Sequence, residues 1–222
     1  MDSERGDLVE RKLGPGEILV RLGQILLANA GFALACVAGL AVVNFLAGHV
    51  SSGLVTFLPG AIAAVVMHYY LIATALTRLG LRRAGAPNRF WDFWGLLILS
   101  GFIVLWGFVI LIVPGLYLNA RWAAAGSVLV SGDGQVGAAL DQSWKMSGPS
   151  AWPIIATWLV IYVPMFLIGM TLAGILEIWL PIIAQPVSQV IRSSAVVLSW
   201  LVGVAVYSLL RPGTVNPAEI FA

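Results

Sequence analysis

The sequence predicts an all-α, polytopic membrane helix bundle with six transmembrane helices and two cytoplasmic surface helices. Three observations predict it: the composition, the spacing between charges, and the way basic residues divide between alternate connections. Of 222 residues, 60% are apolar and 10% charged, against roughly 45–50% and 25% in an ordinary soluble domain. Twelve Lys and Arg with ten Asp and Glu are too few to coat a chain of this size in water, so lipid must solvate most of its surface. A soluble enzyme, a disordered chain and a disulfide scaffold are thereby excluded. The formal net charge of +2 is too mild for a nucleic-acid partner, and no basic run interleaves with aromatics. The single cysteine, Cys36, can form no intrachain bridge.

Each span needs about 20 apolar residues to cross roughly 30 Å of hydrocarbon. Between Arg21 and Arg78 lie 56 uncharged residues, with His49-Val50-Ser51-Ser52-Gly53 as the polar break near the middle. Two spans are expected there, at 28–48 and 54–77. The 28 uncharged residues 93–120 supply a third at 93–113, closed by the breaker Pro114-Gly115. A fourth, 115–131, is short and carries Arg121. The 31 uncharged residues 146–176 supply a fifth at 151–175, and the 18 between Arg192 and Arg211 most of a sixth at 188–210. The chain then divides into a tail at 1–16, one membrane domain at 17–211 and a second tail at 212–222.

Lys and Arg near span ends are retained in the cytoplasm. With the N-terminus inside, ten of the twelve basic residues fall on cytoplasmic segments, Arg192 alone lies outside, and Arg121 is within a span. Both tails are therefore expected in the cytoplasm. The first apolar stretch exceeds the 7 to 15 residues typical of a signal-peptide core, so cleavage is not expected. Trp91, Trp94, Trp144 and Trp152 cluster at the inner boundaries and Trp179 marks the outer one, as the headgroup preference of indole requires. Trp106, Trp158 and Trp200 do not fit such a belt and should face helix contacts or acyl chains.

Two segments between spans read as surface helices. In 17–27, Ile18, Leu22 and Ile25 share one face. In 134–147, Val136, Ala139, Leu140, Ser143 and Trp144 form a weaker stripe with Asp141, Gln142 and Lys145 turned outward. Asp133 is the candidate N-cap and Gly148-Pro149 closes the helix. Ser143, Trp144 and Lys145, with Asp133, are its candidate contacts. Small residues recur at i+4 in Gly31, Ala35 and Gly39, in Gly60 and Ala64, in Ala120 and Ala124, and in Gly169 and Ala173. Such stripes let backbones approach in lipid, mainly within the chain, with a second copy as the alternative use.

Chemistry has few carriers. No His/Cys/Asp/Glu cluster has metal-ligand spacing, and no nucleophile elbow or phosphate-cradling loop is present. No catalytic, metal or cofactor residue is predicted. Arg121 is the costly residue, at about 2.5–3.5 kcal/mol for a guanidinium within a span. From Gly115 it lies six residues, about 9 Å, from the outer end, and a structural pair or outward snorkelling is one expectation, contact with a substrate or lipid phosphate the other. His68, Asn119 and Tyr117 join it as candidate lipid or substrate contacts. Pro164 is a candidate hinge in the fifth span. Glu177 and Arg192 flank the last outer connection, where a pair would be exposed and worth little.

One stretch carries a resemblance. Ile112-Val113-Pro114-Gly115-Leu116-Tyr117-Leu118-Asn119-Ala120-Arg121, followed by Gly137-Ala138-Ala139-Leu140-Asp141-Gln142-Ser143-Trp144-Lys145-Met146-Ser147-Gly148, resembles the signature of the glycerophosphoryl diester phosphodiesterase membrane domain and YciC-like bacterial membrane proteins. Where that pattern has an acidic residue after the Arg-bearing helix, this chain has Val130-Ser131-Gly132-Asp133. The resemblance implies a six-span bacterial inner-membrane module. No phosphodiesterase domain is expected with it, so the likeness is expected to transfer fold and location but no activity. The expectation is a non-enzymatic protein whose partners are membrane lipids, with a protein partner or homo-oligomer also allowed, and no nucleic acid. The alternative is a small transporter of an anionic or amphiphilic substrate.

Overall fold

Apolar side chains with few polar interruptions leave the backbone of each long block to satisfy its own hydrogen bonds, and a helix does so within one segment. The computed structural model describes residues 12–50, 54–132 and 135–211, and these are helical with no strand. In chain order they form α1 (Pro15–Ala28), α2 (Ala30–Val50), α3 (Leu54–Arg78), α4 (Phe90–Ile110), α5 (Ile112–Arg121), α6 (Ala125–Ser131), α7 (Val136–Ser147), a 3₁₀ turn at Gly148–Ser150, α8 (Ala151–Trp179) and α9 (Pro181–Leu210). Five helical stretches are long and apolar enough to cross a membrane: those of α2, α3, α4 and α9, and Val136–Trp179, which contains α8.

The fourth predicted span is corrected. Instead of one helix over 115–131, the chain forms α5 and α6, interrupted at Trp122–Ala124. The predicted breaker Pro114-Gly115 lies inside the first turn of α5, where proline lacks only an N–H that the helix leaves free anyway. The reversal between α4 and α5 occurs at Leu111, in extended conformation. The sixth predicted span is also longer than expected. Helix α9 starts at Pro181, not 188, and runs through Pro186, because a proline at the first position fits the helix and the second removes a single bond.

The packing defines two ends. At one, Leu13 N donates to Ser150 Oγ at 2.9 Å, Arg21 Nε to Ser208 Oγ at 3.0 Å and Arg211 Nη1 to Leu81 O at 2.7 Å. There too Arg78 Nη1 donates to Ala28 O and Arg83 N to Ser131 O. This basic end gathers α1, the start of α8 and the ends of α3, α6 and α9. The opposite end holds the α4–α5 and α8–α9 reversals, and Arg192 lies about three turns into α9 from it. Burial lowers the Arg21 guanidinium from its ordinary value. Helix α1 docks Ile18, Leu22 and Ile25 as its periodicity predicts, onto α8 and α9. Asn29, fully buried, separates it from α2 by donating Nδ2 to Ile25 O at 2.9 Å.

The core surrounds the last two turns of α9. Leu201 to Leu209 are buried without interruption, the all-round burial of a central helix. Their small residues admit neighbours closely. A Cβ on Gly203 would collide with Ala123 O, so this glycine lets the α5–α6 interruption lie directly against α9.

Candidate functional site

A cleft of about 690 Å³ opens among α3, α4, α5, α6, α8 and α9. Its walls are mainly apolar, with a few polar groups set into them. His68 comes from α3 and Asn119 from α5; Trp158 of α8 and Trp200 of α9 face the same space. The imidazole of His68 stacks on Trp200 with centroids 4.5 Å apart and planes at 10°. Phe93 meets it edge-on at 5.1 Å. These two contacts fix the ring, and no hydrogen bond to it is formed among the described residues.

The two serine hydroxyls around the cleft are already used. Ser100 Oγ donates to Leu96 O and Ser199 Oγ to Val196 O, each at 2.7 Å. Trp158 differs, since it is only 8% exposed and its indole Nε1, itself buried, has no partner among the described residues. A buried donor without an acceptor is uncommon and costs roughly 1–3 kcal/mol. Together the cleft offers apolar area, the His68 imidazole, the Asn119 carboxamide and the Tyr162 hydroxyl.

Arg121 is elsewhere. Its guanidinium lies over the Trp144 ring at 4.2 Å from the centroid and over Tyr117 at 5.8 Å. Tyr117 also meets Trp144 edge-on at 6.3 Å, and Ser143 Oγ donates to Arg121 O at 2.9 Å. A Cβ on Gly148 would collide with Arg121 Nη1. Of the expected structural roles, outward snorkelling is corrected: Arg121 packs against α7 and the 3₁₀ turn, because aromatic faces there stabilise the cation.

The four candidate contacts thus separate into pairs. Tyr117 and Arg121, four apart, share one face of α5, whereas Asn119 projects between them on the other. Asn119 joins His68 at the cleft; a combined Arg121–His68 site is not formed. On α7, Ser143 is buried as its stripe predicts, Trp144 covers Arg121, and Lys145 pairs outward with Asp141 at 2.6 Å. Asp133 lies outside the described residues. The N-cap position of α7 belongs to Gln135, a correction that follows from the helix starting at Val136. Pro164 stands within unbroken α8, exposed. The residues missed as site candidates are Trp158 and Trp200, although their misfit to an interfacial belt was the available signal.

Comparison of the chain with protein-family models, curated proteins and solved structures finds no match.

Proposed function

We propose that this is a non-enzymatic, multi-pass membrane protein that binds an amphiphile of the bilayer in its central cleft. The cleft itself carries the reading. An apolar-walled hollow of about 690 Å³ with a few polar side chains set into its wall suits a ligand with an apolar body and a polar group. His68 and Asn119 supply the remaining polar contacts.

The membrane setting has its own support. Trp152 and Trp179 lie 27 residues apart on α8, about 40 Å by helical rise, which matches a bilayer with its headgroup layers. Helices α5 and α6 together return the chain from the opposite end to the basic end and supply the sixth crossing. The basic end then faces the cytoplasm with both tails, and α1 and α7 lie at the inner headgroups. Arg121, Ser143, Trp144 and Gly148 bring the two family-like stretches into contact, which supports membership of the glycerophosphoryl diester phosphodiesterase membrane domain or YciC-like group and residence in a bacterial inner membrane. The transporter alternative lacks an Arg121–His68 pair and keeps only Pro164, beside the cleft residue Tyr162.

The test uses space at the cleft itself. A Cβ on Gly101 meets nothing within 4 Å, so Gly101→Trp can fill the hollow without displacing a helix. A lipid carrying a photoreactive acyl group should cross-link to Trp158 or Trp200 in the parent protein and lose most of that labelling in the variant. Equal labelling of both proteins would refute the assignment.

A further inference from the structure

We propose that Arg192 anchors the anionic headgroup of a phospholipid whose acyl chain follows the groove between α8 and α9 toward the central cleft. The proposal rests on the membrane reading above and adds the headgroup charge, its position and the direction of the chain.

Three hollows connect along α9. The central cleft and a groove of about 360 Å³ share Tyr162 and Val196 as lining residues. That groove and a pocket of about 220 Å³ share Ser188 and Arg192. The groove is apolar, with Met165, Phe166, Met170 and Ala173 on the α8 side. It follows α8 from Ala173 to Tyr162, and from Arg192, which also lines it, to the shared Val196 it spans four residues of α9, about 6 Å by helical rise, before opening into the cleft. The pocket at its far end is polar. Asn44 of α2 and Gln185, Ser188 and Gln189 of α9 surround Arg192 there.

Arg192 is exposed and makes no hydrogen bond or ion pair with any described residue. No ion pair with Glu177, across the last outer connection, is formed. No carboxylate lines any of the three hollows among the described residues. Arg192 also lies 11 residues, about 16 Å, along α9 from Pro181, a depth at which an uncompensated guanidinium is costly in lipid. A phosphate oxygen answers both conditions. It supplies the missing negative charge to a planar donor, and Gln185, Gln189 and Asn44 offer amide donors to its other oxygens. The covalently attached chain places apolar atoms where the groove begins.

The measurement is lipid retention by the full chain, purified in detergent and exchanged into equal amounts of phosphatidylglycerol and phosphatidylcholine with matched chains. Phosphatidylglycerol should be enriched on the parent protein. Arg192→Gln should lower the enrichment about five-fold, the effect of one basic residue near an anionic lipid, while Arg192→Lys retains most of it and the melting temperatures agree. Excess inorganic phosphate should leave the enrichment unchanged, and displacement by phosphate would overturn a lipid headgroup as occupant. Equal ratios on the parent and Arg192→Gln proteins would likewise overturn the proposal. Enrichment absent while acyl cross-links to Trp158 persist removes the Arg192 site alone. Enrichment present without those cross-links removes the cleft reading, and the acyl path into it, but leaves the headgroup contact.

Discussion

Gly148 and Arg121 form a contact that neither residue explains alone. The guanidinium reaches Trp144 only because position 148 has no side chain. A desolvated cation over an indole contributes about 2 kcal/mol, and Gly148→Ala should forfeit much of it. The expected loss is roughly 1–3 kcal/mol, read by thermal unfolding in detergent. In an Arg121→Ala background the same substitution should cost far less, so a double-mutant cycle with no coupling would reject the contact. The division of Tyr117, Asn119 and Arg121 into two sites was legible in their spacing. Which pair would meet the cleft was not, because that depends on Trp144 and His68, which approach α5 from distant parts of the chain.

The interruption at Trp122–Ala124 shows where reading by element stops. Boundaries of α2, α3, α4 and α8 follow from charges and polar breaks nearby, so the expected spans lie within four residues of them. Nothing local marks 122–124 as a break. Its partner is Gly203, across the bundle, where a Cβ would collide with Ala123 O. Gly203→Val should therefore destabilise by about 1–3 kcal/mol through overpacking. Gly174→Ala on α8, where a Cβ meets nothing within 4 Å, should leave the melting temperature nearly unchanged. If both substitutions have the same small effect, α9 does not press against the interruption. The expected break at Pro114-Gly115 failed for a related reason: a proline's effect depends on its position from the helix start, which moves with tertiary packing.

For the whole molecule, composition and charge asymmetry reveal the class of protein, while the joined hollows along α9 were hidden. Asn44, Gln185, Gln189 and Arg192 converge from two helices separated by most of the chain, and no single-segment pattern announces them. Both functional proposals need α9 and α8 to cross the bilayer with Arg192 toward the outer side. They also need α4 and the α5–α6 pair to cross and return, which is the least conventional part of the fold. Side-specific labelling tests this most directly. Single cysteines replace Gly85, Lys145 and Glu177 in a Cys36→Ala background, and intact cells are treated with a membrane-impermeant thiol reagent. The expected result is labelling of the Glu177 position from outside, with the Gly85 and Lys145 positions labelled only after the inner face is opened. Labelling of Gly85 and Lys145 from opposite sides would remove the return crossing through α5 and α6, and the cleft's place within the bilayer with it.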